Sequence, residues 1–271
     1  MIRFLAVSLL LLAAPARADV VFDGSLVQGG LAYGRAASGT QLSFEGRPVR
    51  LAPDGGFVIA VGRDAPSSVT LSIKHPDGRG ETRNLAVTTR RFDIQRIDGL
   101  PERQVTPRPE DVARIAAENA QIAQARTRDT ADTLFRSGFV WPVIGPISGV
   151  YGSQRILNGQ PRAPHWGVDV AVATGTPVVA TADAVVSFLH PDMFFTGRTL
   201  LLDHGHGLQS VYSHLSEVSV APGERVKKGQ VVGKVGATGR ATGPHLHWGV
   251  TWFDVRLDPA LLVPPMSKPG G

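Results

Sequence analysis

The sequence predicts a mainly β protein: two antiparallel β regions, the first a small sandwich-like domain, joined by a connecting α-helix. Three observations carry this. Val69-Thr-Leu71-Ser-Ile73 alternates strictly, as a strand with one buried face does. Over residues 110–136 the composition shifts to Ala, Gln, Arg, Glu and Asp, with apolar positions at helical spacing. Beyond residue 139 short branched runs return, separated by glycine or charged turns, with no continuous helical pattern.

Taken in order, residues 1–18 have the form of an export signal. Arg3 supplies the positive start, Phe4 to Ala14 is apolar and uncharged, and Ala16-Arg-Ala18 fits a small-x-small cleavage site. The apolar run is short of the roughly 20 residues that span a bilayer. The expected location is the periplasm or cell envelope, with full secretion as the second choice.

Residues 19–100 then form the expected N-terminal β domain. Asp54-Gly-Gly56 and Asp77-Gly78 are read as hairpin turns within it, and His75 as a turn residue. Residues 101–138 are the expected linker, dominated by one long helix. Pro109 suits its first position, and Glu110 and Asp111 suit the positive end of its dipole. Val112, Ile115, Ala116, Asn119, Ile122 and Ala123 share one stripe, and Gly138 is a plausible stop. The helix is either a lightly packed spacer or an arm over the second region. Residues 139–271 form that second region, with strands expected at Thr176–Ala180, Ala184–Phe188, Thr199–Leu202 and Gln230–Gly233.

Composition narrows the chemistry. Cysteine is absent, which excludes disulfides and thiolate metal sites. The formal charge of +5 falls to +3 without Arg3 and Arg17. That mild, dispersed excess favours an anionic partner only modestly. No basic stripe with interleaved aromatics suggests nucleic acid.

The chemistry-bearing residues are histidines. Three pieces stand out: His165-Trp-Gly-Val-Asp169, Tyr212-Ser-His214-Leu215 and Pro244-His245-Leu-His247-Trp248. A catalytic zinc wants three protein ligands and an open fourth position. His245 and His247 are two apart, so on a strand both leave the same face. His165 and Asp169 would lie about 13 Å apart on a straight strand, so the chain must curl between them, and Gly167 is the residue expected to allow it. Asp203-His204-Gly-His206-Gly207 is expected to be a hairpin turn rather than a second metal pair, and His190 to be solvated in a surface loop.

Those three pieces, with Asn158 to Pro164 before the first and Gly249 after the last, resemble the M23 zinc metallopeptidases, the LytM/lysostaphin-like peptidoglycan endopeptidases. The similarity runs through roughly residues 149–265. It implies an M23-like antiparallel β catalytic domain and one zinc ion held by His165, Asp169 and His247. It implies His214 and His245 as non-ligand catalytic residues beside a zinc-bound water, and the peptide cross-links of peptidoglycan as substrate. There is no His-Glu-x-x-His, so proton transfer would fall to those two histidines.

Other readings were weighed. One is a catalytically silent regulator of other wall hydrolases, and another a hydrolase of glycine-rich peptides outside the wall. A third is a carrier module, since Ala221–Gly233 is similar to the hairpin of biotinyl and lipoyl carriers, with Lys227 and Lys228 at its turn. A self-occluding role for the long helix is also consistent with its position.

Overall fold

The computed structural model describes residues 20–266, so the expected signal at residues 1–18 lies outside the described residues. The protein is built mostly of antiparallel sheets, as the alternation predicts. No helix among the described residues is long and apolar enough to cross a membrane.

The first region holds two sheets around a shared apolar cluster. Strands Ser68–Lys74 and Gly80–Thr88 pair from Ser68↔Ala86 to Lys74↔Gly80, which turns Val69, Leu71 and Ile73 inward. Asp77-Gly78 closes that hairpin, with Gly78 N–H donating to His75 O at 2.9 Å. Asp54-Gly-Gly56 is a tight turn but closes no hairpin. Arg47–Val49 before it pairs in the five-stranded sheet and Gly56–Ala60 after it in the three-stranded one. The turn therefore carries the chain between layers. Gly55 is required there, because a Cβ would lie 1.9 Å from Ala36 O.

The last strand of this region, Ile94–Ile97, leaves it. It pairs in parallel with Gln154–Leu157, so the two β regions share a small sheet. Ion pairs Arg90–Asp258 at 2.7 Å and Arg50–Asp129 at 2.8 Å reinforce the junction.

The helix runs from Pro109 to Arg126, not to residue 136. Thr127, Asp129, Thr130, Asp132 and Thr133 are poor helix formers whose side chains compete for backbone hydrogen bonds. Tertiary contacts take over this stretch: His206 N–H donates to Thr130 O at 2.9 Å, and Thr130 Oγ1 to Asp203 Oδ2 at 3.1 Å. A 3-10 turn at Leu134–Ser137 then ends at Gly138. The expected apolar stripe is also displaced. Val112 is exposed, whereas the fully buried helical residues are Asp111, held by Arg103, and Glu118. Glu118 accepts from Arg114 at 2.6 Å and from Phe194 N–H at 2.8 Å. This helix is fastened to strand Ala184–Met193 by charge and hydrogen bonds more than by apolar area.

The second region centres on an eight-stranded antiparallel sheet. Its order is Ile147–Gly149, Val168–Val170, Leu246–Trp252, Leu208–Leu215, Gly197–Gly205, Ala184–Met193 and Arg225–Val226, with Val255–Leu257 paired onto Leu246–Trp252. One face is core: Val170, Tyr212, Leu246, Trp248 and Val250 are fully buried. Alternation sends Asp169, Ser213 and His247 to the other face.

Candidate metal centre

Asp169 and His247 stand directly opposite each other on neighbouring strands, and Ser213 is His247's partner on the next. His165 joins them from the irregular segment ahead of Val168. Its main chain is pinned to the turn at 152–153, with His165 N–H donating to Ser153 O at 2.9 Å and Gly152 N–H to His165 O at 2.8 Å. Its ring Nδ1–H donates to Val150 O at 3.1 Å, which commits the lone pair to Nε2.

The consequence is a convergence of three donor atoms. His165 Nε2 lies 3.0 Å from Asp169 Oδ1 and 3.0 Å from His247 Nδ1, and His247 Nδ1 lies 2.8 Å from Asp169 Oδ1. Metal bonds of about 2.0–2.1 Å at tetrahedral angles place donors roughly 3.3 Å apart, so this set fits a small divalent ion after opening by a few tenths of an ångström. The donor chemistry fits too. Burial pushes the His165 pKa down to about 4, against the opposing pull of Asp169, so the imidazole is neutral. Burial would raise Asp169, but the His165 and His247 rings against its Oδ1 hold it well below the usual carboxylate range, so it is anionic.

Gly167 serves this site differently from expectation. Its backbone is ordinary; what matters is room, since a Cβ there would lie 2.4 Å from Trp248 O and 2.8 Å from His247 Cε1.

The other two histidines of the constellation face the same point. His214 sits in the left-handed region at φ 63°, and its Nδ1–H donates to Thr238 O at 2.7 Å. His245 Nδ1–H donates to Gly243 O at 2.9 Å, leaving Nε2 4.0 Å from Asp169 Oδ1. The rings of His214 and His245 are 4.6 Å apart. Burial first, then the neighbouring His245 and His247, lower the His214 pKa to about 3. His214 thus offers an Nε2 lone pair as hydrogen-bond or proton acceptor, and the Nδ1–H bond of His245 leaves its Nε2 facing the same point.

Sequence reasoning missed Arg155. Its Nη2 donates to Asp169 Oδ2 at 2.9 Å, anchoring the oxygen that the histidines leave free. No spacing rule points to it, because its place depends on the pairing of residues 154–157 with residues 94–97.

The remaining histidines are built into the scaffold. His204 is buried, donating Nδ1–H to Asp183 O at 2.8 Å with Nε2 2.8 Å from Ser210 Oγ. His206 is buried in the hairpin turn against the Phe135 ring, 5.3 Å away. His190 is not in a loop. It lies in strand Ala184–Met193 opposite Thr199, its ring beside that of Phe188. Lys227 and Lys228 are tied to Asp183, by Nζ at 3.0 Å and backbone N–H at 2.8 Å respectively, and the strands flanking them belong to different sheets. This is not the free-standing hairpin lysine that a carrier presents.

Comparison with known proteins agrees with this geometry. The family model described as Peptidase family M23 matches residues 163–259. A crystallised candidate M23 peptidase from Pseudomonas aeruginosa is 32% identical, superposes with a TM-score of 0.69, and aligns over 88% of this chain and 95% of its own. The chain belongs to peptidase family M23. Among curated relatives, an uncharacterized metalloprotease of Haemophilus influenzae is 47% identical over 85 residues, 31% of this chain and 18% of that protein. The peptidoglycan DD-endopeptidase ShyA of Vibrio cholerae is 43% identical over 122 residues, 43% of this chain and 28% of that protein. The chain thus spans under a third of the length of these curated relatives.

Proposed function

We propose that this M23 peptidase is a zinc-dependent endopeptidase that hydrolyses peptide cross-links of bacterial peptidoglycan, acting in the periplasm or cell envelope after export. The observation that carries the reading is the convergence of His165, Asp169 and His247 with two further imidazoles facing the same point. The relatives named as peptidoglycan DD-endopeptidases support the substrate class. In this reading residues 139–271 form the hydrolytic unit, and residues 19–100 and 101–138 are a separate β domain and linker.

His165, Asp169 and His247 would hold one zinc ion per chain. When bound, zinc supplies Lewis acidity toward a scissile carbonyl and makes water more acidic. The protein's own contribution is proton handling. His214 and His245 are each fixed by an Nδ1–H bond to a backbone carbonyl, so each meets the substrate through Nε2. One accepts the proton of the attacking water, and the other donates to the carbonyl oxygen once protonated.

Mass analysis of fragments released from purified peptidoglycan, with and without a chelator, tests this. Soluble peptides should appear only with metal present, and their masses identify the bond. No release by zinc-loaded protein would leave the silent-regulator alternative standing.

A further inference from the structure

The cavity beside the metal centre, about 550 Å³, is lined by four arginines, Arg155, Arg162, Arg240 and Arg256, and by no aspartate or glutamate. Three of the four have visible structural work. Arg155 holds Asp169, Arg162 donates to Val105 O at 3.0 Å, and Arg240 lies over the Phe195 ring at 4.4 Å.

Arg256 is different. Among the described residues its guanidinium has no hydrogen bond or ion pair; Tyr151 and Asp254 act on it only through longer-range charge. A further cation, Arg126, ends helix Pro109–Arg126, and its neighbour Ala125 is held by Gln209, which stands in register with Thr251 and through it with Arg256. Arg126 also has no hydrogen-bonded or ion-paired partner among the described residues. Burial, and after it the charge of Arg256, push the Arg126 pKa down to about 9. The helix end is set in place by Gln209, whose Nε2 donates to Ala125 O at 2.7 Å. Partly buried guanidiniums that no carboxylate meets by hydrogen bond or ion pair among the described residues are an unfavourable arrangement that an anionic ligand would relieve. The planar guanidinium fork matches a carboxylate, which can bind it through two parallel hydrogen bonds.

The placement relative to the metal centre is defined by strand register. Arg256 stands opposite Thr251, four residues along the same strand from His247 and therefore on the same face. That separation is about 13 Å at 3.3 Å per residue, the reach of roughly two to four residues of an extended peptide once the arginine side chain is allowed for.

We propose that Arg256, with Arg126 at the same end of this sheet face, forms a subsite that receives a carboxylate of the peptide substrate, so that the enzyme selects acidic peptides. The proposal rests on the hydrolase reading above for what enters the cavity. Arg256 acts here as a specificity residue, remote from the bond that is cut.

The test uses the full chain loaded with zinc and soluble peptides released from purified peptidoglycan. These are used as isolated, or after their free carboxylates have been converted to amides with carbodiimide and ammonia. Calorimetric titration should show the native peptides binding at least tenfold more tightly than the amidated ones. Arg256→Gln and Arg126→Gln should reduce that preference to less than threefold, and Arg256→Lys should retain part of it. Arg79→Gln, on an exposed turn away from the cavity, should leave it unchanged. Circular dichroism melts establish that each variant is folded. In turnover assays Arg256→Gln should raise KM for native peptides about tenfold while kcat stays within twofold. If folded Arg256→Gln keeps the wild-type preference, or if Arg79→Gln loses it equally, the subsite is wrong. A wild type that shows the preference but cleaves nothing would refute the hydrolase reading and leave the anion subsite standing. Cleavage without preference would do the reverse.

Discussion

At His214 one residue combines an unusual backbone with a committed ring. Its φ of 63° is the kind of torsion that persists only where surrounding contacts enforce it, here the Thr196 and Thr238 carbonyls. Because alanine is strained there, His214→Asn is the better probe, since asparagine tolerates the left-handed region. It should keep stoichiometric zinc by metal analysis while kcat falls about 100- to 10,000-fold, the range for loss of a general acid–base group. His165→Ala and His247→Ala should instead lose zinc, and metal retained at full stoichiometry in either would refute the ligand assignment. Arg155→Met leaves Asp169 Oδ2 without its guanidinium and should weaken zinc affinity by roughly 10- to 100-fold in competition with a chromogenic chelator. Two local spacings, two positions on a strand and four around a bend, pointed to His165, Asp169, His245 and His247, while the resemblance to the M23 family added His214 and implied the roles of all five. Arg155 was not legible in the sequence, since nothing within a few residues of it reveals a metal centre.

The elements show where local patterns hold and where they yield. Strand Ser68–Lys74 follows its alternation without exception, because one face meets apolar core and the other meets solvent. The helix follows its start signals at Pro109 and Glu110 but stops at Arg126, where the segment 127–133 gains more from bonds to residues 203–206 than from another helical turn. Its inward face is polar, so an apolar-stripe reading was bound to misplace it. Gly167 is the corresponding case in the bend ahead of strand Val168–Val170. The close approach of Trp248 O and the His247 ring is invisible along the chain. Gly167→Ala should therefore displace His247 and lower zinc occupancy, although alanine suits the backbone itself. Unchanged zinc content would show that the neighbouring strand can retreat.

For the whole molecule, His204, one of the buried imidazoles outside the metal centre, gives an acid-sensitivity prediction. Burial lowers the His204 pKa to about 4, from 6.5 when exposed. Above pH 6.5 the ring is neutral folded and unfolded, so it contributes no pH dependence. As pH falls toward 4 the unfolded chain takes up a proton that the folded chain refuses, and stability drops by about 3 kcal/mol. Denaturant midpoints measured across that window should fall less steeply for His204→Gln than for wild type, and parallel slopes would remove His204 from the account. The mainly β class, the existence of a helix between two β regions and the five-residue constellation were determined by the sequence alone. The class and the helix arise from side-chain period, which physics reads locally, and the constellation from two short spacings together with the resemblance to the M23 family. The shared sheet of Ile94–Ile97 with Gln154–Leu157, the anchoring of Asp169 by Arg155 and the docking of the helix end on Gln209, in register with Arg256, were decided only by tertiary structure. These pairings join distant residues through the net free energy of packing the whole chain, and no short stretch of sequence contains that sum.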